Sequence, residues 1–172
     1  MRIEKNIILN RTDKKPLLID TFYSESKTDQ PIVVFCHGYK GFKDWGPFNL
    51  VANQFAKAGF VFIKMNFSHN GVTLENPNEF ADLEAFAKNN FCMELDDTGV
   101  LINYLFSSSC TIPKSEIDLN NLYIMGHSRG GAAAILKANH NKMKSKAILF
   151  FPCSGSSKLI NIFSWSWKIL AE

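Results

Sequence analysis

The residues best suited to covalent chemistry are gathered in one pentad, Gly126-His127-Ser128-Arg129-Gly130, inside the run Leu122-Tyr-Ile-Met-Gly-His-Ser-Arg-Gly-Gly-Ala-Ala-Ala134. The apolar residues before it read as a strand and the alanines after it as a helix start. Gly126 and Gly130 remove the Cβ atoms that would collide where a strand turns sharply into a helix. Such a turn strains the serine backbone and presents its hydroxyl at the strand tip, at the positive end of the helix. The chemistry this suits is acyl transfer, in which the serine oxygen attacks a carbonyl and backbone N–H groups stabilise the oxyanion that forms.

The elements that must position this serine follow from hydrophobic pattern. Arg2 to Arg11 and Pro16 to Ser24 predict two strands, joined into a hairpin by the turn at Thr12 to Lys15. Pro31 to Cys36 is continuously apolar, as an interior strand covered on both faces requires, and it runs into His37-Gly38. Pro47 to Lys57 predicts a helix with Phe48, Val51, Ala52, Phe55 and Ala58 on one face and Gly59 as its stop; Phe60 to Asn66 is the next strand. Strand, helix and strand in that order form a βαβ unit, which implies parallel neighbours. Phe67 to Asn90 is polar, broken by Gly71 and Pro77, and reads as a long functional loop. Leu95, Gly99, Ile102 and Phe106 recur at helical spacing in a helix from about Phe91 to Ser107. A turn at Asp118 to Asn121 leads into the strand before Ser128; Ala132 to Asn139 is the helix after it, and Ala147 to Phe151 is one more buried strand. The expectation is an α/β fold: a mostly parallel sheet with an antiparallel N-terminal hairpin and helices on both faces. Residues 1–152 form its core and residues 153–172 an atypical tail.

Composition excludes several other classes. In 172 residues the net charge of +3 is spread without a basic block, which gives nucleic acid no footprint. The N-terminus carries no signal-like apolar run and no segment approaches the roughly 20 apolar residues of a membrane span, so the expected setting is cytoplasmic with no membrane partner. Cys36, Cys92, Cys110 and Cys153 lack the paired spacing of a zinc site and read as small, reduced, buried side chains. No metal and no cofactor is implied.

With the serine turn in this context, and an upstream strand ending in His37-Gly38, the sequence resembles the α/β-hydrolase superfamily. Within it the likeness is to dienelactone-hydrolase-like and prolyl-peptidase-like serine esterases, whose turn often reads Gly-His-Ser-Arg-Gly-Gly. The resemblance runs from about Pro16 to Pro152. It implies that Ser128 is the nucleophile at a nucleophile elbow, that the backbone N–H groups of Tyr39 and Arg129 form an oxyanion hole, and that the substrate is a small-molecule ester or amide.

The superfamily also places an acid and a histidine after the serine. Here the only carboxylate side chain after Ser128 is Glu172 and the only histidine is His140. A helix rising about 1.5 Å per residue puts His140 roughly 16 to 18 Å from Ser128, too far for a base. His127 adjoins the serine and is expected to point away and pack. His37 and His69 follow strands that end at the same sheet edge and are the only histidines placed to act as surrogate bases, though neither is expected to serve, the resemblance implying that His37 shapes the oxyanion loop; Asp96 and Asp97 read as a solvated helix face. The tail, with Phe163, Trp165, Trp167 and Ile169 at alternating positions, departs from the superfamily pattern, so the chain reads as an incomplete α/β-hydrolase fold, truncated at its C-terminus. Three readings follow: a serine esterase acting through a Ser128 acyl-enzyme, an inactive truncated hydrolase serving as a binding module, or half of a split enzyme. A sheet ending at the Ala147 strand would expose an edge suited to self-association.

Overall fold

A computed structural model describes residues 1–140 and 146–150; the expected tail at 153–172 lies outside them. In chain order the elements are β1 (Arg2–Leu9), β2 (Leu17–Tyr23), β3 (Gln30–Cys36), α1 (Phe48–Ala58), β4 (Val61–Asn66), α2 (Leu83–Lys88), α3 (Phe91–Phe106), β5 (Ile117–His127), α4 (Arg129–His140) and β6 (Lys146–Phe150). The strands form one six-stranded sheet in the order β1-β2-β4-β3-β5-β6. β1, β2 and β4 pair antiparallel, and β4, β3, β5 and β6 pair parallel, as the hairpin and the βαβ unit predict.

Both faces of the sheet are covered, which is why β3 and β4 are apolar at nearly every position. Ile32, Val34, Val61 and Ile63 point to one side, against Leu101 and Leu105 of α3 and Ala133 and Ala134 of α4. Val33, Phe35 and Phe62 point to the other, against Phe48, Ala52 and Ala56 of α1. Each large side chain buried this way contributes about 1.5 to 3 kcal/mol. Small alanines on the inner faces of α1 and α4 let these helices lie close to the strands.

The structure corrects several expectations. On α1 the third buried residue is Ala56, while Ala58 is exposed; Gly59 ends the helix at φ 96°. The stretch from Phe67 to Asn90 is not all loop, because Asp82 caps the short helix α2 by accepting the Ala85 N–H at 2.9 Å. Two turns are too few for periodicity to show. The turn at Asp118 to Asn121 lies within β5: Asp118 accepts the Asn120 N–H at 2.9 Å, and pairing with β3 jumps from Pro31↔Asp118 to Ile32↔Leu122. Cys36 is buried as expected, but Cys92 is exposed.

Candidate active site

The β5–α4 corner carries Ser128, which is exposed and sits at φ 52°, in the left-handed region that costs a non-glycine residue strain. Its neighbours show why the turn is so tight. A Cβ on Gly126 would stand 2.2 Å from the Gly130 carbonyl oxygen, and one on Gly130 would stand 2.2 Å from the Cys36 carbonyl oxygen and 2.5 Å from that of His37. All three contacts are with backbone, which cannot step aside. The Gly131 N–H returns to the Ser128 carbonyl at 2.9 Å and α4 begins at Arg129, so the serine lies at the positive end of a 12-residue helix.

Parallel pairing sets Cys36 opposite Gly126, and the next residues of the two strands meet beyond the sheet. A Cβ on Gly38 would lie 3.1 Å from the Ser128 Cβ, so the loop after β3 runs directly against the serine and Tyr39 follows it. This loop contains a turn closed by Gly41 N–H to the Gly38 carbonyl at 3.0 Å, with Lys40 at φ 54°.

His37 faces inward and is not a surrogate base. Its Nδ1–H donates to the Gly38 carbonyl at 2.9 Å, and its Nε2 accepts from Phe67 N–H at 3.4 Å and from Asn70 at 3.3 Å. Burial pushes its pKa down to about 4, so the ring is a neutral strut under the loop. His69 is placed apart, after β4, with β3 between that strand and β5; its Nδ1 contacts Ser68 Oγ at 2.8 Å. His127 packs as expected, its ring centroid 6.0 Å from Trp45 and 5.4 Å from Phe48. Cys36, the other potential nucleophile nearby, is held as a thiol, burial pushing its pKa up to about 12.

The acidic residues also depart from expectation. Asp96 is half exposed, but Asp97 is buried: its carboxylate accepts the Ser68 N–H at 2.7 Å and the Ser68 hydroxyl at 3.1 Å, and pairs with Arg11. Burial raises its pKa against the pull of those partners. Arg129 packs between helices: its Nε donates to Glu94 at 2.9 Å, and its guanidinium carbon lies 4.1 Å from the centre of the Phe91 ring. The second Glu94 oxygen is buried without a hydrogen-bond partner, and burial raises that carboxyl's pKa.

Beneath the loop after β3 lies a group of charges that sequence reasoning passed over. Lys43 Nζ stands 2.9 Å from Asp20 of β2, and Lys64 Nζ of β4 stands 2.7 Å from Asp44 and 3.3 Å from Asp20. Lys43 also contacts Asp44, and Lys64 Nζ donates a further hydrogen bond to Asn49 Oδ1 at 2.7 Å. A signal was present: Asp20 and Lys64 are the only charged residues in strands that are mostly apolar, and an ion in a strand covered on both faces requires a partner.

Aromatic rings flank the serine corner. Tyr39 packs on Phe86 at 5.3 Å and Phe86 on Phe80 at 5.5 Å, leaving Tyr39 62% exposed and forming an apolar row that leads away from Gly38. A separate cleft of about 280 Å³, lined by Leu18, Asn66, Ser68 and Leu74 among others, lies beside β2 and β4. Among the described residues no group of three or more His, Cys, Asp or Glu is gathered to hold a metal ion, and no helix is long and apolar enough to cross a membrane.

The strand order, the antiparallel start and the helices on both faces are those of the α/β-hydrolase fold. A model of the dienelactone hydrolase family matches residues 19–171, and the chain belongs to that family. A Mycoplasma genitalium protein that carries the name esterase/lipase 2 is 25% identical over 151 residues, 87% of this chain and 48% of that protein. The chain thus spans about half the length of this curated relative. Among solved structures, a dienelactone hydrolase from Anabaena variabilis superposes with a TM-score of 0.65 at 13% identity, covering 97% of this chain and 79% of its own. Est1E from Butyrivibrio proteoclasticus gives 0.55 at 13% identity, over 78% of this chain and 45% of its own. At such identities the likeness is one of fold.

Proposed function

We propose that the chain carries the nucleophile and oxyanion hole of a serine esterase, with Ser128 as nucleophile at a nucleophile elbow and the backbone N–H groups of Tyr39 and Arg129 as the oxyanion hole. The carrying observation is the exposed Ser128 at φ 52°, at the start of α4 and against the backbone of Gly38. Ser128 Oγ attacks the ester carbonyl carbon and gives up its proton to a base as the carbonyl electrons move to oxygen. The oxyanion is held by the two N–H groups, each worth a few kcal/mol. Collapse breaks the bond to the alcohol, which leaves with a proton, and water then releases the acid by the same route. The row Tyr39, Phe86 and Phe80 offers the apolar part of a small-molecule ester a wall to lie on.

The base is the open element. The rings of His37, His69 and His127 are occupied as described, and the resemblance puts the catalytic histidine and acid after the serine in sequence. Without them the oxyanion hole and positioning alone sustain only a modest rate. That supports a second reading, a binding module without turnover. A fluorophosphonate probe separates the two: labelling of Ser128, abolished in Ser128→Ala, supports the esterase, while folded protein that stays unlabelled supports the module.

A further inference from the structure

The four charges under the loop after β3, three of them buried and Asp44 partly so, have no part in the acyl-transfer scheme. Asp20 and Lys64 are wholly buried and Lys43 is 1% exposed. Such clusters seldom add stability over apolar side chains of the same size, because desolvation offsets the attraction. What they can add is register, and the arrangement here has that property. The loop presents two adjacent residues of opposite sign, Lys43 and Asp44; the sheet presents two receptors of opposite sign, Asp20 and Lys64, paired across β2 and β4. Sliding the loop by one residue would set Asp44 against Asp20 or Lys43 against Lys64, like against like.

The turn this loop carries needs such fixing. Lys40 stands at φ 54°, a conformation a non-glycine residue keeps only when its surroundings over-determine it. Besides the turn's own bond from Gly41 N–H to the Gly38 carbonyl, hydrogen bonds restrain the loop on both sides: Lys43 N–H to Asn66 at 2.6 Å, Asn70 to the Gly41 carbonyl at 3.2 Å, and His37 to the Gly38 carbonyl at 2.9 Å. Between them sits Tyr39.

We propose that Lys43 and Asp44 act as a two-pin plug into Asp20 and Lys64, and that this plug is a positioning device that aims the Tyr39 N–H at the oxyanion. The proposal rests on the esterase reading above. Lys43 is a positioning residue: it acts through the backbone four residues before it and touches no substrate.

The test uses the full chain and a fluorophosphonate probe, resolving the limiting labelling rate from the probe's apparent affinity, with melting temperature measured alongside. Lys43→Met leaves an uncompensated carboxylate and should lower both the melting temperature and the labelling rate, the latter roughly tenfold to a hundredfold for a displaced donor, with affinity little changed. Lys43→Met combined with Asp20→Asn keeps the cluster neutral but removes the pin. That pair should recover most of the melting temperature and leave the labelling rate low. Recovery of both together would make the cluster a folding element only and overturn the proposal, as would a wild-type labelling rate in both variants. Wild-type protein that folds but is never labelled defeats the esterase reading itself and takes this proposal with it.

Discussion

The β5–α4 corner and the loop after β3 meet at Ser128 but are held by different forces. In the corner the constraint is excluded volume: Gly126 packs on the Gly130 backbone, and Gly130 packs on the carbonyls of Cys36, at the end of the adjoining strand, and of His37 just after it. In the loop it is attraction between charges, Lys43 with Asp20 and Asp44 with Lys64. A steric corner fails when one atom is added. An electrostatic seat fails when one charge is taken away, and it tolerates shape changes that the corner does not.

The largest effect should come from the corner. Gly130→Ala puts a methyl group inside two backbone carbonyls and is expected to cost about 5 kcal/mol or more, read as insoluble expression or a collapsed urea midpoint. A variant that folds with a wild-type midpoint would show that excluded volume does not hold the corner. Next is the electrostatic seat: Lys64→Met leaves Asp20 and Asp44 to share Lys43, one negative charge in excess, and should cost about 3 to 5 kcal/mol in urea unfolding at unchanged slope.

His37 links the two regions and has its own signature in pH. Its folded pKa, about 4, lies below the 6.5 of the unfolded chain, so between these values the unfolded state binds a proton that the folded state does not. Stability therefore falls as pH drops from 6.5 to about 4, by up to about 3 kcal/mol, and this component levels off below. His37→Asn should flatten that segment of the stability–pH curve relative to wild type; parallel curves would place the ring's titration elsewhere. The smallest effect belongs to an exposed pair. Lys88→Ala breaks the Glu84 contact at 2.5 Å, yet both side chains are mostly in solvent and the melting temperature should stay within measurement error. A marked drop there would blur the distinction between buried and exposed charge on which the comparison depends.

The legible parts of the molecule were those governed by near neighbours. Phe60 to Asn66 reads as a strand from its own residues and β4 is Val61–Asn66; Gly59 reads as a helix stop because glycine suits the left-handed backbone such a stop needs, and its φ is 96°. Asp97 was misread because one turn of helix carries both it and Asp96, and nothing in that turn says which carboxylate Ser68 and Arg11 will reach. For His37 the partners were what stayed hidden: a histidine at a strand end can turn toward the site or beneath the loop, and Asn70 and Phe67, some 30 positions later, draw it beneath.

What the sequence determined alone was the order of strands and helices apart from the short α2, the covered faces of the sheet and the glycine spacing that a tight strand-to-helix corner demands. These depend on periodicity and excluded volume, which act over a handful of residues. The tertiary structure decided which ions meet: Asp20 reaches Lys43 and Lys64 only because β2 lies beside β4, and the loop after β3 folds across both. Charges have long reach and little directionality, so their partners are chosen by strand order and register, and neither is written in any one stretch of the chain.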